Sequence, residues 1–97
     1  MAELLQPIFR QAAHEIAAAR VQHEFGLTGT VGKVLSLDEI TSRLPFIYNF
    51  PAEVLQDFWI AYVKRSDRRM MLESSTVVLV SKLTGDIAYV GTAGDEG

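Results

Sequence analysis

The chain has 97 residues, of which 48% are hydrophobic and 22% are charged, close to the averages of soluble globular domains. Length and composition predict one domain, residues 1–97, with a single core, and speak against a fibrous or intrinsically disordered protein. Nine Lys and Arg against twelve Asp and Glu give a formal charge of −3, so we expect no general attraction to nucleic acid or to an anionic membrane.

The cysteine count limits the possible chemistry of the chain and indicates its cellular compartment. The sequence contains no cysteine, which excludes disulfides, thiolate nucleophiles and cysteine-ligated metals within it. Missing disulfides suit a reducing compartment, so a cytoplasmic location is expected. Glu3 stands where a signal peptide needs positive charge, and the longest apolar strings are far shorter than a membrane span. We therefore expect neither a cleaved leader nor a membrane segment.

Residues 2–25 are predicted to form an amphipathic helix that covers a core. Apolar side chains recur there at helical spacing, whereas charged residues take the other faces. The apolar positions are Leu5, Ile8, Phe9, Ala12, Ile16 and Ala19. Pro7 fits only near the helix start, because a later proline would remove a hydrogen bond and clash with the preceding turn. Gly26 supplies the stop.

A short strand and a second helix are predicted next. Thr and Val within residues 30–35 favour a strand after a glycine-containing loop. Ser36 and Glu39 have the spacing of a capping box, in which each side chain satisfies a backbone N–H of the other residue. This pair predicts a helix over residues 37–44, which Pro45 ends.

Residues 45–57 are predicted to be a packed connection with one helical turn from Pro51. The following stretch, FWIAYV, places two apolar sets on opposite faces of a strand. One face carries Phe58, Ile60 and Tyr62, and the other carries Trp59, Ala61 and Val63. Because both faces are apolar, this strand is predicted to lie near the centre of the sheet.

Residues 64–69, KRSDRR, are predicted to form a turn that holds the one concentrated charge cluster. Its cations are Lys64, Arg65, Arg68 and Arg69. The plainer interpretation is a solvated hairpin tip, which also discourages edge-to-edge aggregation. The functional interpretation is a docking site for an acidic protein partner, because dense local charge accelerates encounter. RNA binding is a weaker variant, because the aromatic side chains that would stack on bases lie in an apolar strand.

Two β-branched runs, residues 77–81 and 87–90, flank the sequence KLTGD and predict an antiparallel hairpin. Gly85 is the residue best able to adopt a positive φ in that turn. Together with the preceding elements, the hairpin predicts an α+β fold. In it, the N-terminal amphipathic helix packs on one face of a three- to four-stranded antiparallel sheet.

Candidate catalytic and metal-ligating residues do not form a recognisable constellation. His14 and His23 lie nine residues apart on the first helix, about 180° around its axis, so they cannot hold one metal together. Glu53 and Asp57 are candidates for paired carboxylates, although helix-terminus and surface roles are commoner for such residues. The sequence has no nucleophile elbow, and no phosphate-binding glycine loop follows a strand. We expect a non-enzymatic protein without metal or cofactor.

Large aromatic side chains between residues 45 and 62 form a second candidate site. Core packing is the first explanation, and a pocket or an oligomer interface is the alternative. The residues concerned are Phe46, Tyr48, Phe50, Trp59 and Tyr62. Since both faces of the 58–63 strand are apolar, either helices cover both sides or a second subunit covers one, and we predict a homodimer.

The C-terminal hairpin resembles that of a family of small intracellular bacterial proteins, the immunity protein 35 group, found beside polymorphic toxins. The strand WIAYV is followed by the strand VVLV, then Lys82, the Thr-Gly-Asp turn at 84–86, a second apolar strand and Gly-Thr-Ala at 91–93. The similarity covers roughly half of the chain. The PepSY domain has a similar hairpin, and Ser81 stands where both families often place Asp.

Two classes of function follow from these observations. The first is a small non-enzymatic protein-interaction module that acts through its surface, and the resemblance implies an immunity or chaperone-like role for it. The alternative is a small-molecule-binding or enzymatic domain of cystatin-like α+β type, in which residues 45–62 line an apolar pocket under the helix. A filled core with an exposed patch favours the first, and an enclosed pocket with convergent polar groups favours the second.

Overall fold

The computed structural model describes residues 8–40, 45–47, 49–65 and 75–93, with the side chain of Arg65 excepted. Its four strands form one antiparallel sheet in the order β1-β2-β3-β4, with one helix packed on a face of the sheet. This confirms the predicted α+β class. The elements are α1 (Arg10–Phe25), a 3₁₀ turn (Gly26–Thr28), β1 (Gly29–Leu35), a second 3₁₀ turn (Leu37–Glu39), α2 (Ala52–Leu55), β2 (Phe58–Arg65), β3 (Thr76–Ser81) and β4 (Ile87–Thr92).

Helix α1 begins later than the sequence predicts and ends where it predicts. Phe9 is extended, with ψ of 163°, and serves as the N-cap residue. A helix that started at residue 2 would use the Ile8 N–H within it, but this N–H donates to the Lys82 carbonyl oxygen at 2.6 Å and aligns this part of the chain with the end of β3. Gly26 stops the helix with φ of 62°. The remainder of the predicted start, residues 2–7, lies outside the described residues.

Small side chains form the buried face of α1. Ala13, Ala17 and Val21 are at most 1% exposed, and their spacing of four residues places them on one side of the helix. They pack against Val34, Ala61, Val78 and Val80 of the sheet. Of the predicted apolar face, Ile8 and Ile16 pack at the edge of this cluster. The prediction is wrong for Phe9, which is 70% exposed, and for Ala19, which is also exposed.

The predicted strand after α1 is confirmed as β1, but the predicted helix over residues 37–44 is wrong in the described part. The capping box between Ser36 and Glu39 is present, and the Glu39 carboxylate accepts the Ser36 N–H at 2.8 Å. Only a 3₁₀ turn follows, because Ile40 turns extended (φ −92°, ψ 114°) and packs on the sheet. Residues 41–44 lie outside the described residues.

Strand β2 is an interior strand with the predicted alternation. Ile60 lies on one face and Ala61 on the other, and both are 0% exposed. The strand is longer than predicted: Lys64 and Arg65 belong to it rather than to a turn, because they pair with Thr30 and Gly29 of β1. The rest of the predicted turn, residues 66–69, lies outside the described residues.

The sheet face opposite α1, here called the second face, is covered by the same chain. Ile47 and Leu55 are at most 4% exposed and pack with Phe50 on a layer formed by Ile60 and Leu79. The helical turn predicted after Pro51 is confirmed as α2, which carries Leu55 into this layer. The connection between β1 and β2 therefore covers part of the apolar face for which a further helix or a second subunit was predicted.

The β3–β4 hairpin is confirmed, with Gly85 at φ of 81°. The Gly85 N–H donates to the Ser81 carbonyl oxygen at 3.0 Å. A Cβ at position 85 would lie 3.1 Å from Ile16 Cδ1, so this turn also packs closely on α1. Backbone geometry and packing both favour glycine here.

We expect Gly85→Ala to lower the free energy of unfolding by about 1–2 kcal/mol, because alanine at positive φ is strained and its Cβ crowds Ile16. Urea unfolding measures the loss. Gly32→Ala in β1 is the control: position 32 has no positive φ, and the closest atom to its Cβ would be an ordinary 3.5 Å away. Equal losses in the two variants would contradict the geometric explanation.

Among the described residues, no helix has both the length and the apolar character needed to cross a membrane.

Candidate functional site

The cations of the predicted charge cluster are only partly described. Lys64 is exposed near the end of β2, and strand alternation places it on the second face with Ile60 and Tyr62. Arg65 is placed by its backbone in the same strand. Arg68 and Arg69 lie outside the described residues.

The structure adds a lysine to this cluster that the sequence did not reveal. The pairing of β1 with β2 shifts between Val31 and Val34, so that Gly32 and Lys33 together oppose Tyr62. The Lys33 ammonium lies 5.4 Å from the centroid of the Tyr62 ring, within the range of a cation–π contact. Lys33 and Lys64, here called the basic end, are exposed beside Tyr62. No sequence signal marks the bulge except the glycine before Lys33.

The predicted aromatic site is divided by the sheet. Phe50 and Tyr62 pack on the second face, whereas Trp59 packs with the residues under α1. Phe46 is 73% exposed, and Tyr48 lies outside the described residues. The five aromatic residues therefore do not form one pocket.

An apolar groove opens on the outer side of the second-face layer. Its volume is about 340 Å³, and it lies on the opposite side of the sheet from the predicted position under the helix, because residues 45–55 pack on the face that α1 leaves open. Phe46, Asn49 and Pro51 are exposed at its walls. The lining residues are Leu37, Pro45, Phe46, Ile47, Asn49, Phe50, Pro51, Ala52 and Leu55.

Aromatic contacts and a tight turn hold the shape of this groove. The Phe50 ring lies 5.9 Å, centroid to centroid, from both Phe58 and Tyr89, and the Phe50 N–H donates to the Ile47 carbonyl oxygen at 2.9 Å. Asn49 makes this turn possible at φ of 73°, a conformation that asparagine tolerates better than most residues. The Phe46 N–H anchors the entrance by donating to the Ala93 carbonyl oxygen at 2.5 Å.

A polar cleft of about 420 Å³ adjoins the groove at Leu37. Lys82 lies in it, and its ammonium donates to Ser36 Oγ at 2.5 Å and to the Gln56 carbonyl oxygen at 2.8 Å. Asp38 and Asp57 line the same cleft and are exposed. We call these two carboxylates the acidic end, because they lie where β2 begins, whereas the basic end lies where β2 finishes.

Trp59 joins the cleft to the start of α1. Its indole N–H donates to the Ile8 carbonyl oxygen at 2.7 Å. The Lys82 ammonium and the Arg10 guanidinium each lie 5.1 Å from the centroid of the indole ring. Core packing was the first explanation for Trp59 and a pocket or interface the alternative; in the structure the side chain packs under α1 and links the start of the helix to β2.

The surroundings of Glu39 displace the pKa of its carboxyl. The Ser36 N–H holds the pKa of the Glu39 carboxyl below its ordinary value, and the hydrogen bond from Arg10 acts in the same direction. Arg10 Nη2 lies 2.7 Å from Glu39 Oε2, and both side chains are well exposed. This surface ion pair links the start of α1 to the turn after β1.

The arrangement is suited to binding by shape and charge. In the described part of the chain, no three His, Asp or Glu side chains come together as metal ligands, and no buried side-chain polar atom lacks a hydrogen-bond partner. The groove supplies apolar surface, and the two charged ends supply carboxylates and ammonium groups. These features are suited to holding a partner through apolar contact and charge.

Comparison with protein-family models, with curated proteins and with solved structures finds no match to this chain.

Proposed function

We propose that this chain is a small, non-enzymatic cytoplasmic protein-interaction module that binds a protein partner through its second face. The observation that carries the proposal is the open apolar groove with Phe46 73% exposed at its wall. Large aromatic side chains in such positions are typical anchors of protein interfaces. The core around the groove is filled by the protein's own side chains, with Leu55 and Ile60 at most 2% exposed.

Charge at the two ends supports a protein as the partner. A protein surface can offer apolar side chains to the groove while placing acidic groups at Lys33 and Lys64. An immunity or chaperone-like role is the most specific form of this proposal, and it rests on the resemblance of the C-terminal hairpin. The Thr84-Gly85-Asp86 turn would then be scaffold, because Gly85 is occupied in packing on α1.

Affinity capture from a lysate of the native host tests the proposal. We expect tagged wild-type protein to retain a stoichiometric protein, and Phe46→Ser to retain it at least about tenfold less, since an anchor residue contributes 1–2 kcal/mol or more to binding. Phe9→Ser is the matched control, because Phe9 is 70% exposed at the start of α1, which packs on the opposite face of the sheet. Equal loss in both variants, or capture unaffected by Phe46→Ser, would contradict the proposal.

A small apolar ligand is the second candidate for the groove. The volume of about 340 Å³ lies at the lower end of the range for small-molecule sites. Native mass spectrometry of protein purified from the host distinguishes the two functions. A retained small molecule that Phe46→Ser releases would favour the ligand-binding function, and a bound protein would favour the interaction module.

A further inference from the structure

We propose that the second face binds a second copy of this chain in antiparallel orientation, so that the acidic end of each copy meets the basic end of the other. This inference rests on the proposed function, because it names one partner of the same face. It is carried by the distribution of charge, the state of the sheet edges and the position of the groove.

Charge is separated along the length of β2. Asp57 immediately precedes the strand, and Lys64 lies seven positions later, a separation of about 23 Å at about 3.3 Å per strand residue. Asp38 adjoins Asp57 in the cleft, and Lys33 adjoins Lys64 beside Tyr62. A twofold axis that lies in the plane between two facing copies, perpendicular to β2, brings the second faces together and exchanges the two ends. It thus places ammonium groups opposite carboxylates twice, which is the self-complementarity that a symmetric dimer requires.

The carboxylates of the acidic end remain available for this contact. Lys82 reaches into the same cleft, but its ammonium is held by Ser36 Oγ and the Gln56 carbonyl oxygen. Within the described residues, no cation lies within 4.0 Å of the carboxylate oxygens of Asp38 or Asp57. Arg10, which also lies near this end, is paired with Glu39. Among the described residues, no cation thus competes with lysines from another molecule for Asp38 and Asp57.

Both edges of the sheet are unsuited to strand pairing, which favours association through the face. On β1, the irregular pairing at Gly32 and Lys33 interrupts the edge and adds a charge. On β4, the register shifts at Ala88, and the Tyr89 hydroxyl donates to the Thr92 carbonyl oxygen at 2.7 Å. That hydrogen bond occupies an edge acceptor that an added strand would need.

The groove supplies apolar contact between the charged ends. It extends from Phe46, whose N–H is bound at Ala93 near the basic end, to Leu37, which borders the acidic cleft. In the antiparallel arrangement, Phe46 of each copy faces the groove of the other. A foreign partner that uses the groove must then displace the second copy, so dimer and complex exclude one another.

Light scattering on the full chain with two charge-reversal variants tests this inference. At high micromolar concentration we expect wild type at twice its 10.8 kDa mass. Lys33→Glu/Lys64→Glu and Asp38→Lys/Asp57→Lys should each be monomeric, because like charges then meet at both ends. An equimolar mixture of the two variants should regain a dimer with a dissociation constant within about tenfold of the wild-type value. Glu15→Lys, on the exposed side of α1, is the control and should leave the dimer unchanged.

A monomeric wild type at this concentration would overturn the inference, as would a dimer that both charge-reversal variants retain. Circular dichroism confirms that each variant is folded before its mass is interpreted. Failure of the dimer leaves the proposed function intact if capture of a foreign protein still depends on Phe46. If the dimer forms but no foreign protein is captured, the proposed function is contradicted and self-association through the second face still stands.

Discussion

Replacing Leu79 with alanine is expected to lower the free energy of unfolding by about 3–4 kcal/mol. Leu79 is 0% exposed on β3 and pairs with Ile60 of β2 on one side and Tyr89 of β4 on the other. Its neighbours are fixed by hydrogen-bonded strands on both sides, so the cavity left by the truncation cannot collapse. The loss is a large part of the 5–15 kcal/mol that stabilises a typical domain.

Leu83→Ala is the matched control for this prediction. Leu83 is 59% exposed in the β3–β4 turn, so the same truncation should change stability by less than about 0.5 kcal/mol. Urea unfolding of both variants provides the comparison. Similar losses would show that the second-face layer is not the packed core described here.

Replacing Trp59 with alanine is expected to lower the free energy of unfolding by about 3 kcal/mol. The truncation removes a partly buried ring that packs under α1, its hydrogen bond to the Ile8 carbonyl oxygen, and the ring face near Lys82 and Arg10. Amide exchange at Ile8 should accelerate as well, because its N–H donates to the Lys82 carbonyl oxygen in the same junction.

Trp59→Phe separates the ring from the hydrogen bond. It keeps an aromatic ring but removes the indole N–H, so a smaller loss of about 1 kcal/mol is expected. Urea unfolding measures the loss in both variants. A loss as large as that of Trp59→Ala would show that the hydrogen bond accounts for the whole effect. An unchanged rate of amide hydrogen exchange at Ile8 in both variants would contradict the role of Trp59 in holding the start of α1 against β2.

Features set by local periodicity or backbone chemistry could be predicted from the sequence. Alternation in FWIAYV located the two faces of β2 because side chains of a strand alternate strictly. Gly26 and Gly85 marked a helix stop and a turn, where glycine adopts positive φ without strain. Ser81 fits the turn although it departs from the expected Asp. Its Oγ accepts the Leu83 and Thr84 N–H groups at 3.2 and 3.1 Å, as a carboxylate would.

Features that depend on tertiary contact could not be predicted. Ser36 and Glu39 predicted a helix, yet the chain leaves the turn at Ile40 because that side chain packs on the second face. The groove opens on the side of the sheet that the 45–55 segment covers. Local sequence pattern does not indicate which side that is. Lys33 joins Lys64 only through the irregular pairing of β1 with β2.

The central claim, that the second face is the binding surface, is tested most directly by amide hydrogen exchange on the captured complex, compared with the free chain. Binding through this face predicts slower exchange in residues 45–55, including the Phe46 and Phe50 amides, with little change in the 26–28 turn and in the turn at residues 83 and 84. Protection confined to those two turns, with residues 45–55 unchanged, would contradict the claim and place the binding surface elsewhere.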